Sequence, residues 1–167
     1  SHLIRQTGQG APLPAASLFT PVRADVARQA PKAAQSDARL LISGAWGSGR
    51  TYLARWVHQN SVRADRLLSV LSCRTASAPE ISRALQDQAT GTLVLQDVEI
   101  LSAEGQGVLR AALVQSAAEK QPAVRIIATL DPASGQSLPS DVRDGLGVLQ
   151  VHMPRLRDHR ADVPPLF

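Results

Sequence analysis

An apolar run, Leu40-Leu41-Ile42, leads directly into Gly44-Ala45-Trp46-Gly47-Ser48-Gly49-Arg50-Thr51. A stretch to Asn60 follows that carries Tyr52, Leu53, Trp56 and Val57 on one helical face. Strand, glycine loop and helix in this order are what a phosphate-binding loop needs. Glycines let successive backbone N–H groups turn inward around the α- and β-phosphates, the helix points its positive end at them, and the Thr51 hydroxyl can join a magnesium shell. The pattern G-x-x-x-x-G-K-[ST] is met at every position but one, where Arg50 replaces lysine. Arginine keeps the charge but is longer, planar and forked, so the exchange is not conservative at a tight phosphate site. The segment therefore constrains the fold strongly and leaves nucleotide binding open. Trp46 fills a free loop position, suited either to pack over a nucleotide or to close an empty pocket.

The remaining elements are read from periodicity. Residues 1–19 are rich in Gly, Pro, Ala and Ser and read as a linker, with Ser1-His2 as a cloning remnant; the domain is expected over 20–167. A helix is predicted over Pro21–Ala34, a second apolar run over Leu67–Ser72 and a weak helix over Ala78–Gln88. A third strand, Leu93-Val94-Leu95, ends in Gln96-Asp97. A helix over Ser102–Ala118 buries Val108, Leu109, Ala112 and Leu113. A fourth strand, Val124–Ala128, finishes at Thr129-Leu130-Asp131, and a short helix over Ser140–Gly145 precedes a fifth strand, Val148–His152. Apolar strands alternating with helices predict an α/β fold with a mostly parallel five-stranded sheet covered on both faces. Ligands in such sheets sit at the carboxyl ends of the strands, where the glycine loop, Gln96-Asp97 and Asp131 all fall.

At 167 residues and 44% apolar composition the chain can bury one sizeable core. Lysine plus arginine exceeds aspartate plus glutamate by 18 to 14. The arginines are scattered, however, and aromatics make up 3%, which argues against a base-stacking surface; no helix-turn-helix signature is present. Cys73 is the single cysteine, so an intramolecular disulfide is excluded, a buried apolar role is expected, and a reducing cytoplasm is the natural compartment. No apolar run reaches bilayer-spanning length. His58 reads as a packing or surface residue. His152 and His159 lack a cysteine or carboxylate cluster at ligand spacing, so no zinc site is inferred.

With these blocks in place, the chain resembles the AAA+ central domain of bacterial enhancer-binding proteins, the NtrC-like activators of RNA polymerase holding sigma-54. Leu41-Ile42-Ser43-Gly44 through His58-Gln59-Asn60-Ser61 is similar to the family's LI-x-GESGTGKE-x-x-A-x-x-IH-x-x-S. Ser72-Cys73 falls where the family has Asn-Cys, Gly91–Asp97 resembles GTLFLDE, and Val124–Ala128 resembles VRIIA. His152-Met153-Pro154-Arg155-Leu156-Arg157-Asp158-His159-Arg160-Ala161-Asp162-Val163-Pro164 echoes HLPPLRERREDIP. The resemblance implies a P-loop NTPase (AAA+) three-layer sandwich. It implies ATP or ADP held with magnesium at Gly44, Gly47, Ser48, Gly49, Arg50, Thr51 and Tyr52, with Thr51 as metal ligand. It also implies self-association as a ring or dimer, and RNA polymerase or other regulators as partners. A receiver domain, a DNA-binding domain and a helical lid are implied for an intact protein; none is visible in this chain, which stops at Phe167 where the lid would begin.

Departures from the family pattern fall on residues that carry chemistry. Arg50 replaces the loop lysine. Where the family has Asp then Glu at the end of the third strand, this chain has Gln96 and Asp97, a neutral amide followed by an acid one methylene short; Asp97 is the remaining catalytic candidate. Shifting the alignment so that Asp97 takes the magnesium role conflicts with Gly91-Thr92-Leu93, since a one-residue slip turns every side chain to the other face. Glu99 could share Asp97's face if the strand continued. Asp131 takes the sensor asparagine's place near the γ-phosphate. Pro139 and Gly145 stand at the two arginine-finger positions, with Arg143 on the wrong side of the helix. Only Arg74–Thr90 lies between the Asn-Cys and GTLFLDE blocks, and no GAFTGA motif occurs there. The implied function is a degenerate regulatory ATPase-like domain with weak nucleotide binding, poor hydrolysis and no GAFTGA contact. The alternatives are a working ATPase with substituted residues and a nucleotide-free structural module. Arg155, Arg157 and Arg160 are matched in part by the family's own run, which favours a structural or subunit-facing role.

Overall fold

A computed structural model describes residues 3–7, 24–87, 90–117 and 123–154. The glycine loop follows strand β2 (Leu40–Gly44), whose Leu40 and Ile42 point into one core while Leu41 points into another. All three are at most 2% exposed. A strand buried on both faces requires apolar side chains at consecutive positions, hence an unbroken run in the sequence. The same division holds in β4 (Thr90–Gln96), where Val94 opposes Leu93 and Leu95, and in β5 (Arg125–Leu130), where Ile127 opposes Ile126 and Ala128.

With β3 (Leu67–Ser72) and β6 (Leu149–Met153), these strands form a parallel sheet in the order β3-β4-β5-β2-β6. Helices α1 (Ala24–Gln35) and α2 (Arg50–Gln59) cover one face through Val26, Ala30, Leu53 and Val57. Helices α3 (Ala78–Gln86), α4 (Ala103–Ala117) and α5 (Ser140–Leu146) cover the other through Ile81, Leu109, Leu113, Val142 and Leu146. The fold is therefore the expected three-layer α/β sandwich. Helix α3, predicted only weakly, is held at its start by a capping box in which Ser77 Oγ accepts from the Glu80 backbone N–H and Glu80 reaches back to Ser77 N–H. Helix α1 is described from Ala24; residues 21–23 of its predicted span lie outside the described residues.

One expectation needs correction. Within the stretch read as linker, Leu3–Thr7 forms a strand, β1, antiparallel to β3 in the register Leu3↔Leu71 to Thr7↔Leu67. Among the described residues the five parallel strands are thus joined by this antiparallel sixth. Strand β3 would otherwise present a long apolar edge with unpaired N–H and C=O groups, and β1 supplies their partners.

Two buried arginines tie the amino-terminal edge of the sheet together. Arg63 grips Asp37 through Nε and Nη2 at 2.6 and 2.7 Å and donates from Nη1 to the carbonyls of Gly91 and Ala123. Arg125 donates from Nη2 to the Ala33 carbonyl in the last turn of α1 at 2.7 Å and from Nε to the carbonyl of Ala38, in the connection to β2, at 3.0 Å. Burial pulls the Arg125 guanidinium down to about 10.

Candidate functional site

At the opposite, carboxyl-terminal edge of the sheet, the glycine loop turns from β2 into α2. Gly47 and Gly49 lie at φ 83° and 93°, in the left-handed region where a Cβ is strained. Gly44 is required for space: a Cβ there would lie 2.7 Å from Ser48 Oγ and 2.8 Å from the Met153 carbonyl oxygen. Helix α2 starts at Gly49 without a side-chain cap and with no acid in its first turn. Its first N–H groups, which no helix bonds internally, therefore keep their full positive character. Ser48, 3% exposed, has a hydroxyl without a hydrogen-bond partner among the described residues.

Arg50 does not extend freely beside the loop. Its Nη2 donates to Asp97 Oδ1 at 3.1 Å, and the two side chains are 8% and 11% exposed. Arg74, at the turn after β3, donates from Nε to the other oxygen, Oδ2, also at 3.1 Å. Arg50 Nη1 is buried without a hydrogen-bond partner among the described residues. Asp97 is the one non-glycine with positive φ among the described residues, at φ 58° and ψ 55°, and its N–H donates to Thr129 Oγ1 at 3.0 Å. Gln96 Nε2 donates to Thr51 Oγ1 at 2.9 Å. Trp46, Gly47, Gly49, Arg50, Thr51, Tyr52, Gln96 and Asp97 line a cavity of about 350 Å3. Trp46 is 80% exposed and Tyr52 50%.

The fold thus gathers most of the residues singled out in the sequence. Asp131, at the end of β5, reaches the loop itself: its Oδ2 accepts from Trp46 N–H at 3.4 Å, and its Oδ1 accepts from Ala133 N–H. Glu99 does not share a strand face with Asp97. The strand ends at Gln96, the left-handed turn at Asp97 starts a short 3-10 helix, and Glu99 Oε2 accepts from Asp131 N–H at 3.0 Å. Glu99 therefore braces the end of β5 and lies outside the cavity lining. Pro139 immediately precedes α5, and Gly145 packs so closely on α4 that its Cβ would meet Leu113 Cδ1 at 3.0 Å. Arg143 is exposed.

Arg74 was not foreseen as part of the site. Its role depends on the adjacent carboxyl ends of β3 and β4, which pair in register from Leu68↔Thr92 to Ser72↔Gln96. His58 is a packing residue, 1% exposed: its Nδ1 faces the Thr92 hydroxyl at 2.7 Å and its Nε2 the Arg66 carbonyl at 3.1 Å. A carbonyl can only accept, so the proton sits on Nε2 and Nδ1 accepts from Thr92. Burial lowers the pKa of the ring. Cys73 is buried, its thiol pushed up to about 12 by desolvation and by Asp97 and Glu99. His152 is exposed beside Ser43, and no cluster of three metal-ligating side chains occurs among the described residues. His159, Arg155, Arg157 and Arg160 lie outside the described residues. A second hollow, of about 430 Å3 between α3 and α4, is lined by Leu85, Val108, Ala112 and Val124 among others and contains none of these site residues. No helix among the described residues is long and apolar enough to cross a membrane.

A parallel sheet whose strand runs into a glycine loop and an uncapped helix, with further polar side chains at the neighbouring strand ends, defines a P-loop NTPase fold. Within that class the chain belongs to the sigma-54 interaction domain family, which matches residues 20–166. It is an AAA+ domain of the sigma-54-activator type found in transcriptional regulators. It is 29% identical to the HTH-type transcriptional regulatory protein TyrR of Haemophilus influenzae, over 80% of this chain and 50% of that protein. It is equally 29% identical to the transcriptional regulatory protein ZraR of Klebsiella oxytoca, over 80% of this chain and 37% of the relative. The chain thus spans half or less of these relatives' length. Among solved structures, NtrX from Brucella abortus in complex with ATP superposes with a TM-score of 0.72 over 87% of this chain and 38% of the other. The P-loop NTPase domain of a sigma-54 activator from E. coli gives 0.60 over 80% and 94%. Both are 22% identical to this chain, a likeness of fold.

Proposed function

We propose that this domain is a non-hydrolysing regulatory module of an NtrC-like transcriptional regulator. It holds ATP or ADP weakly in the glycine loop and acts through self-association and conformational coupling in the cytoplasm. The observation that carries the proposal is the Arg50–Asp97–Arg74 cluster. In-line attack on a γ-phosphate needs a carboxylate free to orient water. Here both oxygens of Asp97, the one acid lining the cavity among the described residues, accept from the guanidiniums of Arg50 and Arg74.

The phosphate part of a nucleotide fits the residues present. Gly47, Gly49 and the first turn of α2 offer backbone N–H groups, and Arg50, Thr51 and Tyr52 line the adjoining cavity. Magnesium does not fit. It needs anionic oxygen ligands in near-octahedral geometry. Thr51 Oγ1 already accepts from the neutral amide of Gln96, and Asp97, the one acid lining the cavity among the described residues, is neutralised by two arginines. Pro139 and Gly145 supply no cation to a neighbouring subunit. Between β3 and β4 the chain carries α3, and its sequence there has no GAFTGA motif, so contact with sigma-54 through such a loop is not part of the proposed role. RNA polymerase or other regulators remain the proposed partners, with DNA reached through a separate domain.

ATP turnover by the purified chain with excess magnesium tests this. The expected result is phosphate release at the level of the buffer control. Turnover at about 1 s⁻¹ or faster, abolished in Arg50→Ala, overturns the proposal in favour of a working ATPase.

A further inference from the structure

We infer that the glycine loop takes the phosphates of a nucleoside polyphosphate without a divalent cation, with the Arg50 guanidinium occupying the electrostatic role of the metal. This inference rests on the reading of the domain as a non-hydrolysing nucleotide module and names how its site binds.

The first observation is the state of Arg50. It lines the cavity, is 7% exposed, and spends Nη2 on Asp97 while Nη1 has no hydrogen-bond partner among the described residues. A buried N–H without an acceptor carries a desolvation penalty that an incoming anionic oxygen removes. The guanidinium fork is also the side-chain geometry best matched to phosphate oxygens. The second observation is local charge. Two guanidiniums, Arg50 and Arg74, face one carboxylate, Asp97, so the group is left with one net positive charge beside an uncapped helix N-terminus.

The third observation is the donor set at the expected metal position. Gln96 presents an N–H to Thr51 Oγ1, so the pair offers no anionic oxygen, and Asp97 can be recruited to a metal only by breaking two ion pairs. A cation placed there would also be repelled by Arg50. Arginine, Gln96 and doubly paired Asp97 are thus mutually consistent: each removes a feature of a magnesium site, and together they keep a positive charge in its place. Trp46 and Tyr52 line the same cavity and remain exposed, which provides aromatic faces for a base. The ligand class is therefore a nucleotide rather than inorganic phosphate alone.

Titration calorimetry of the 167-residue chain with ADP, once in EDTA and once in excess magnesium chloride, tests the inference. Pyrophosphate is titrated in parallel to separate the contribution of the base. Equal affinities within about threefold, or tighter binding in EDTA, are expected. Arg50→Gln is expected to weaken ADP at least about tenfold in EDTA, and Gln96→Asp to make binding respond to magnesium. Pyrophosphate is expected to bind more weakly than ADP; equal binding overturns the assignment of a nucleotide. ADP binding at least about tenfold tighter with magnesium, without ATP turnover, overturns the inference and leaves the functional proposal standing. Binding of neither ligand in either buffer also overturns it and favours a nucleotide-free module. ATP turnover by the same preparation instead overturns the functional proposal. The magnesium comparison uses the unaltered chain, so it decides the matter even if Arg50→Gln fails to fold.

Discussion

Arg50 and Asp97, at the start of α2 and just past the end of β4, are joined by a bond of 3.1 Å between Nη2 and Oδ1 with both side chains almost fully buried. A buried pair is costly to form from water and costly to break, because removal of one partner strands the other charge. Arg50→Ala is therefore expected to destabilise the chain by about 3 kcal/mol, the lower end of the range for broken buried pairs, since Arg74 still reaches Asp97. Urea unfolding of Arg50→Ala, Asp97→Ala and the double variant measures the coupling, expected at about 2 kcal/mol. A coupling near zero would show that the pair is not formed in solution.

Two loop glycines are expected to respond differently to alanine. At Gly44 the new Cβ meets the Met153 carbonyl at 2.8 Å, a backbone atom that cannot swing away, whereas at Gly47 no atom of the described residues lies within 4 Å. Gly47→Ala then incurs only its left-handed conformation, about 1 kcal/mol. Gly44→Ala forces the β2–β6 edge apart and is expected to cost 2 kcal/mol or more, by analogy with overpacked cores at about 1–3 kcal/mol. Chemical denaturation midpoints compare them; equal losses would contradict the packing at Met153.

Stability is expected to fall on mild acidification through His58. Its folded-state pKa lies below 6.5, mainly because burial disfavours the imidazolium. The unfolded chain therefore takes up a proton first as pH drops below 6.5. The stabilisation is complete above that pH and declines until the folded-state pKa is reached. Melting temperatures at pH 7.5 and 5.5 should diverge in the unaltered chain, and His58→Gln should narrow the difference. An unchanged slope in the variant would assign the effect elsewhere.

Trp46 should dominate the solvent-accessible tryptophan emission. It is 80% exposed, while Trp56, the other tryptophan, lies on α2 and packs, partly buried, against the core. Acrylamide quenching is expected to drop sharply in Trp46→Phe, and addition of ADP should protect Trp46 from the quencher. Undiminished quenching in Trp46→Phe would place the exposed indole at Trp56 instead.

Elements with continuous apolar runs were legible because a strand buried on both faces leaves no other pattern. Leu40-Leu41-Ile42 and Val124–Ala128 became strands β2 and β5 within two residues of their predicted bounds, and Leu93-Val94-Leu95 became the centre of β4, which starts three residues earlier at Thr90. The glycine loop was equally plain, since positive φ at Gly47 and Gly49 and the tight approach at Gly44 demand glycine locally. Strand β1 was not legible. Leu3–Thr7 sits in a stretch whose composition reads as linker, and its structure depends on an unpaired edge of β3 more than sixty residues away in the chain. Arg74 escaped notice for the same reason, as nothing in its neighbours signals the carboxylate it meets.

The sequence alone determined that the chain builds a parallel α/β sandwich with a phosphate-shaped loop, and that lysine, acid pair and finger positions are occupied by other residues. Backbone conformation and burial depend on short-range pattern, which is written along the chain. Only the tertiary structure decided what the substituted residues do. Arg50, Arg74 and Asp97 join across three strand ends, Gln96 closes on Thr51, and Glu99 turns away to Asp131. Those partnerships depend on which strand ends lie side by side at one edge of the sheet, and on the left-handed turn at Asp97 that aims each side chain.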